Sequence, residues 1–256
     1  MKSDHTPPTS AAQYELLNSR TLVAGAFDTA IVPLGSCESH GAHLPFGMDA
    51  LTAHALALRV GKLVSNSFVL PPTFFGMSQH YRHQALSVSL STDTTLALFR
   101  DIFRSLFQGG IKNIFILNGH DGNIPCWELA ARDIKVEYPE INIAGVDWWV
   151  PISVLCPPDL LEVWSGWGHG GEAETSMGLE LFEEWVDIGQ TTTEGAIPKV
   201  DNLIKQIWLF QELTQSGSTG APASATREKG RIMAAAVVQY VADYINRQRE
   251  HIGPSY

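Results

Sequence analysis

The chain reads as an α/β layer fold, and three observations lead there. Short β-rich runs alternate with amphipathic stretches along most of its 256 residues, the pattern of a sheet covered by helices. Hydrophobic residues make up 45% and charged residues only 17%, against roughly 25% charged in an average soluble domain. A chain of this size buries about 70–75% of its surface on folding, so a large core is available.

The elements follow in order. Thr29–Leu34 (TAIVPL) is the first clear strand, and a Gly/His-rich loop runs from it to Met48. Asp49 opens a helix over Ala50–Leu63, where its residue type suits an N-cap. Ser67–Leu70 is a short strand ended by Pro71-Pro72, and Leu86–Leu90 (LSVSL) reads as another by its alternation. Thr92–Phe107 is a helix stopped by Gly109-Gly110. Asn113–Leu117 (NIFIL) is the clearest strand of all. Ile124–Val136 reads as a helix, Ile141–Val146 as a strand and Glu172–Trp185 as a helix. From about residue 189 to 224 the chain is rich in Thr, Ser, Gly and Pro. That stretch reads as a surface excursion, forming a subunit contact or the rim of a site. Thr226–Arg249 is the last helix, with Thr226 as candidate cap and Ala234-Ala235-Ala236 on its packing face.

Charge and composition exclude several functions. Lys+Arg number 17 against 27 Asp+Glu, for a formal charge of −10, and no basic run offers a nucleic-acid footprint. The apolar runs fall short of the roughly 20 residues that span a membrane. Met1–Glu15 has no apolar core of a signal peptide. Cys37, Cys126 and Cys156 are widely spaced, which predicts free thiols and a cytoplasmic location.

The residues suited to chemistry fall in three clusters, each where a strand or loop meets a helix. The first is Gly35-Ser36-Cys37-Glu38-Ser39-His40-Gly41-Ala42-His43-Leu44-Pro45, closed by Asp49. Glu38 and His40 are two apart, so an extended backbone points both to one side. Imidazole with carboxylate suits a borderline divalent metal such as zinc or manganese. The second cluster, Asn118–Asn123, puts His120 directly after a strand. The third, Trp167-Gly168-His169-Gly170-Gly171-Glu172-Ala173-Glu174-Thr175, offers one imidazole and two carboxylates at a helix entry. Ligands in open α/β sheets bind beyond the carboxyl ends of the strands, so the first two clusters can meet at one sheet edge. Plainer readings stand beside these. Asp49 serves equally as a helix cap, and His5, His54 and His251 are solvated residues without a role. Trp148, Trp149, Trp164 and Trp167 are core or interface residues unless they wall a pocket beside the third cluster.

Taken together, Gly35-Ser36-x-Glu38-x-His40-Gly41-x-His43-Leu44-Pro45 with Asp49, Asn118-Gly119-His120 and His169-x-Gly171-Glu172-x-Glu174-Thr175-Ser176 resemble the creatininase family of metal-dependent amidohydrolases. The motifs stand in the family's order over roughly residues 28 to 185. The resemblance implies one domain over residues 1–256 with a three-layer α/β/α architecture and a mostly parallel central sheet. It implies two divalent ions per subunit, zinc first, with manganese or iron as alternatives. Glu38 and His120 would bind one ion, His40 the other, and Asp49 would bridge them. Creatininase itself has a glutamate where this chain has Gly122. Other members have one three residues after the third-motif histidine, so Glu172 becomes the expected ligand of the second ion.

By the same resemblance, a metal-bound hydroxide cleaves a C–N bond of a small amide, cyclic amide or formamide. His169 is the proton shuttle, and Glu174 orients a ligand. Trp149, Trp167, His83 and Asp121 are the expected substrate-side residues. Many members carry His-Phe-Pro-Gly-Thr before the third strand, whereas this chain has His83-Gln84-Ala85-Leu86-Ser87. The pocket wall is changed, so creatinine itself is not the expected substrate. Alternatives are C–C ring opening of a cyclic ketone, as in the keto-inositol branch, or a non-catalytic small-molecule binder. The partners expected are a small-molecule substrate and further copies of the chain, a hexamer on family resemblance, with no nucleic acid and no membrane.

Overall fold

The computed structural model describes residues 11–84, 86–162, 168–192, 204 and 206–251. Five strands, β1 (Ala12–Gln13), β2 (Thr29–Leu34), β3 (Ser67–Val69), β4 (Asn113–Asn118) and β5 (Asn142–Asp147), form one sheet in the order β1-β3-β2-β4-β5. Every pairing is parallel. The helices are α1 (Ser19–Ala24), α2 (Met48–Gly61), α3 (Thr92–Gln108), α4 (Ile124–Glu137), α5 (Ile152–Leu155), α6 (Glu172–Leu181) and α7 (Arg227–His251). They connect and cover the strands, as parallel pairing demands.

Side-chain alternation divides the core into two layers. On β2 and β4, Ile31, Phe115 and Leu117 pack with Leu56 and Val60 of α2, Met177 of α6, and Val237 and Val241 of α7. The intervening Ala30, Val32, Leu34, Ile114 and Ile116 face Phe99 and Phe103 of α3 and Ala130 and Ile134 of α4. Each strand has both faces covered, which is why TAIVPL and NIFIL read as continuous apolar runs. The three-layer α/β/α fold expected from the sequence is the one observed. Among the described residues, no helix is long and apolar enough to cross a membrane.

Four local expectations are corrected. Leu86–Leu90 is not a strand, since only Val88 makes a bridge, antiparallel to Cys37. Its alternation is turned inside out: Leu86 and Val88 are exposed, while Ser87 and Ser89 point inward. Ser87 Oγ accepts from Ser39 N at 3.3 Å and Ser89 Oγ from Ser78 N at 2.8 Å. Asp49 is not a cap, because α2 begins at Met48 and Gly47 stands at the N-cap. The helix predicted over Glu172–Trp185 ends at Leu181, where Phe182 leaves helical geometry, and a separate 3-10 turn covers Glu183–Trp185. On α7, Thr226 does cap the first turn by accepting from Lys229 N at 3.2 Å, and Ala234 is buried, but Ala235 faces solvent.

The excursion predicted over 189–224 includes residues 193–203 and 205, which lie outside the described residues. Its later part does not stay on the surface. Thr214, Ser218 and Thr219 are buried, and Thr219 pairs with His169 through both backbone and side chain.

Candidate metal centre

The site forms beyond the carboxyl ends of β2 and β4, where a parallel sheet leaves a crevice. Two glycines let the strand ends approach the first turn of α2. A Cβ on Gly35 would lie 2.4 Å from Ala50 N, and one on Gly119 would lie 2.3 Å from Asp49 O. Asp49 is thereby wedged between the loop carrying Glu38 and His40 and the loop carrying His120. Asn118 locks the latter loop, accepting from His120 N at 3.2 Å and donating to His120 O at 2.7 Å. Asn123 ties both loops to the chain after β3, donating to Gly35 O and accepting from Met77 N. His43 joins the first motif to the third through Gly170 O at 2.9 Å and Thr175 Oγ1 at 3.0 Å.

Hydrogen bonds to carbonyls decide how the histidines face. A carbonyl oxygen only accepts, so the ring nitrogen beside it carries the hydrogen. His120 Nε2 lies 3.0 Å from Met77 O, and its Nδ1 lies 3.3 Å from Glu38 Oε1 and 3.1 Å from Asp49 Oδ2. His40 Nδ1 lies 3.1 Å from Glu38 O, while its Nε2 is 2.9 Å from Asp49 Oδ1 and 3.7 Å from Glu174 Oε2. Each ring is anchored by its remote nitrogen and turns the other toward carboxylates, as metal-ligating histidines do. Asp49 spans the two rings, one oxygen to each.

Glu38 Oε1, His40 Nε2 and Asp49 Oδ2 are buried and make no hydrogen bond. An ion taken out of water costs several kcal/mol unless fully paired, so such atoms converging on shared space fit a cation. Glu38-Asp49-His120 and His40-Asp49-Glu174 each bring their ligand atoms within 4.8 Å of one another. The imidazole-carboxylate donor set suits zinc or manganese.

Protonation responds to the same crowding. Burial opposes a charge on His40, but Asp49, Glu174 and Glu38 outweigh it and push its pKa up to about 10. His120 is likewise raised, against burial, by Glu38 and Asp49. Asp49 is also buried, yet His40 and His120 hold its carboxyl below the usual range. Burial raises Glu174 to about 7, with Asp49 and Glu38 adding to the rise and His40 opposing it. His169 is pulled well below its ordinary value by burial and by His40.

The other expected site residues are distributed unevenly. Glu172 lies outside the cluster: its carboxylate is 2.5 Å from Lys229 Nζ and accepts from Glu162 N at 2.8 Å. Glu174 takes the inward position instead and also accepts from Gly170 N at 2.5 Å. Gly122 stands where creatininase has a ligand glutamate. A Cβ there would meet Met77 O at 2.1 Å and His120 Nε2 at 2.5 Å, so this chain has no room for one. His169 stacks on His40 with ring centroids 4.0 Å apart. Asp121, half exposed, lies 3.7 Å from His120 Nδ1. His83 is exposed and accepts from Arg82 Nε, away from the cluster. Trp149 packs against the core and edge-on to Trp148. Trp167 lies outside the described residues.

Sequence reasoning passed over His80, Tyr81 and Phe210. His80 lies 3.5 Å from Asp121 and stacks on His120 at 5.9 Å. Tyr81 and Phe210 pack on His169 at 4.6 and 4.5 Å. The available signal was the pair His80-Tyr81 just before Arg82-His83, four polar or aromatic residues that sequence alone could not rank.

The family model for creatininase, described as creatinine amidohydrolase, matches residues 17–245. A creatinine amidohydrolase of Pseudomonas putida is 25% identical over 250 residues, covering 88% of this chain and 92% of that protein. The mycofactocin precursor peptide peptidase of Mycolicibacterium smegmatis is 30% identical over 223 residues, covering 85% and 84%. Among solved structures, a creatinine amidohydrolase superposes with a TM-score of 0.77 at 25% identity, covering 93% of this chain and 98% of that one. A manganese form of creatininase superposes with a TM-score of 0.77 at 24% identity, covering the same shares. The chain belongs to the creatininase family and is a hydrolase of that family.

Proposed function

We propose that this chain is a dinuclear metal-dependent hydrolase that cleaves the C–N bond of a small amide, cyclic amide or formamide. The observation that carries the reading is the convergence of Glu38 Oε1, His40 Nε2 and Asp49 Oδ2, all buried and without hydrogen bonds. Glu38 and His120 hold one ion, His40 and Glu174 the other, and Asp49 bridges them, so each ion has three protein ligands. Glu174 thus takes the role expected of Glu172. When bound, two divalent ions supply Lewis acidity toward a carbonyl and lower the pKa of water toward neutrality. His169, kept neutral by burial and by His40, takes up a proton and returns it to the departing nitrogen. Phe210 and Tyr81, both buried, exclude water from its ring. Zinc is the first candidate metal and manganese the second, the latter supported by the manganese form of a structural neighbour. One domain over residues 1–256, a homo-oligomer of hexamer type and a cytoplasmic location complete the reading. Light scattering of the purified protein checks the oligomer.

Metal analysis with a panel of cyclic amides, formamides and short peptides tests the proposal. The expected result is about two divalent ions per chain and release of amine, ammonia or formate. Unchanged metal content in His120→Ala would overturn the ligand assignment. A second reading, ring opening of a cyclic ketone, is favoured by one relative, the 3-dehydro-scyllo-inosose hydrolase of Thermotoga maritima, 25% identical over 194 residues. It covers 69% of this chain and 60% of that protein. Products decide between the two, because a ketone releases no nitrogen.

A further inference from the structure

His169 has a partner that the site chemistry above does not use. Its Nε2 lies 2.7 Å from Ser39 O, which can only accept, so the hydrogen of the neutral ring sits on Nε2. The Tyr81 hydroxyl lies 3.0 Å from Nδ1. With the single N–H already given to Ser39, Nδ1 has only a lone pair, and Tyr81 must be the donor. Nδ1 is also the nitrogen nearer the metal cluster, 3.9 Å from Glu38 Oε1. Tyr81 is itself held on several sides, with its ring against His80, His169 and Phe210 at 4.3, 4.6 and 4.4 Å. Only 3% of it is exposed. A hydroxyl placed so rigidly is a poor packing choice unless its O–H is used.

We propose that Tyr81 is a positioning residue for His169. Its hydroxyl caps Nδ1, fixes the ring plane between Ser39 O and the cluster, and stays bonded to Nδ1 in both of that nitrogen's proton states. The inference rests on the reading of His169 as the group that carries the proton. The chemical reason for tyrosine is that a hydroxyl both donates and accepts. While Nδ1 is bare, Tyr81 donates to it. When Nδ1 takes a proton, the O–H turns and the phenolic oxygen accepts from the new N–H. A carboxylate in that place would hold the ring permanently charged, and a phenyl ring would leave a buried lone pair without a partner.

Tyr81→Phe and His169→Gln, each made in the full-length zinc-loaded protein, test this. Tyr81→Phe keeps the ring contacts and removes one oxygen. The first readout is NMR of isotope-labelled imidazole nitrogens, with the His169 signals identified by their loss in His169→Gln. The wild type should show a protonated Nε2 and a hydrogen-bonded, unprotonated Nδ1. In Tyr81→Phe, the Nδ1 signal should move toward that of a free imine nitrogen while zinc content stays unchanged. The second readout is turnover of any amide in the panel that the wild type hydrolyses. Tyr81→Phe should lower kcat roughly tenfold or more with KM within about twofold. A protonated Nδ1 in the wild type, an unmoved Nδ1 signal, or loss of zinc in Tyr81→Phe would overturn the inference. Full kcat in Tyr81→Phe with an inactive His169→Gln would sink Tyr81's role and leave the shuttle standing. Full kcat in His169→Gln would sink the shuttle, and this inference with it.

Discussion

Glu38 and His40 are two residues apart, and so are Glu172 and Glu174, yet the two pairs end differently. The first pair lies in extended chain beyond β2, and both side chains reach the same cluster, Glu38 toward His120 and His40 toward Asp49. The second lies in the first turn of α6, where each residue turns about 100° and a spacing of two sends side chains to nearly opposite faces. One glutamate meets His40 at 3.7 Å and the other meets Lys229 at 2.5 Å. The same spacing therefore means "together" in a strand-like loop and "apart" in a helix.

The largest effect expected belongs to Asp49, the residue that joins both halves. Asp49→Ala should strip both ions, and losing Lewis acidity worth several kcal/mol lowers turnover about 10³-fold or more. Elemental analysis beside an activity assay checks it, and one retained ion would show that Asp49 is not a bridge.

The helical pair is tested by parallel substitutions. Glu174→Gln should lose one of two ions. Glu172→Gln should keep both but lose about 3 kcal/mol of stability, because Lys229, mostly buried, is left without its carboxylate. Denaturant melts and metal counts read the two separately. Metal loss confined to Glu172→Gln would reverse the assignment of the two faces.

Protons give a subtler test of the extended pair. In metal-free protein His40 has a pKa of about 10, so ion uptake near pH 8 must displace its proton. Calorimetry in buffers of different ionisation heat should register that release, and affinity should weaken as pH falls. The stability sign is opposite. His40's folded pKa lies above the unfolded value of about 6.5, so its contribution to the metal-free fold is complete below that pH. It is lost as pH rises toward about 10. Thermal melts of chelator-treated protein between those limits check it. A melting point that climbs over that range would be incompatible with a protonated His40.

The smallest effects concern the loop at 86–90. Leu86→Ser should change stability by no more than about 0.5 kcal/mol because Leu86 is exposed. Ser89→Ala should cost about 1 kcal/mol through the lost bond from Ser78 N. Denaturant midpoints of the two variants give the order.

Much of this architecture was legible from pattern alone. TAIVPL and NIFIL are strands because their residues are β-branched or bulky and apolar on both faces, and they pair in register from Thr29 with Asn113 to Leu34 with Asn118. LSVSL misled because alternation reports that two faces differ, not which one faces inward. There the serines were needed as hydrogen-bond partners for Ser39 N and Ser78 N, and the apolar side chains were left outside. His80 and Tyr81 were invisible for a related reason, since a loop without periodicity carries no direction.

The amino-acid sequence by itself determined the α/β layering, the strand ends at which the chemistry sits, and the residue types gathered there. Those follow from local rules: apolar periodicity, glycines where backbones touch, and side chains that alternate in extended chain. Tertiary structure alone decided that Asp49 bridges rather than caps, that Glu174 and not Glu172 faces the cluster, and that Tyr81 sits on His169. Each of these depends on which segment, distant in the chain, arrives opposite a given side chain. The carbonyls of Met77 and Ser39 and the ammonium of Lys229 are such arrivals, and no local pattern encodes them.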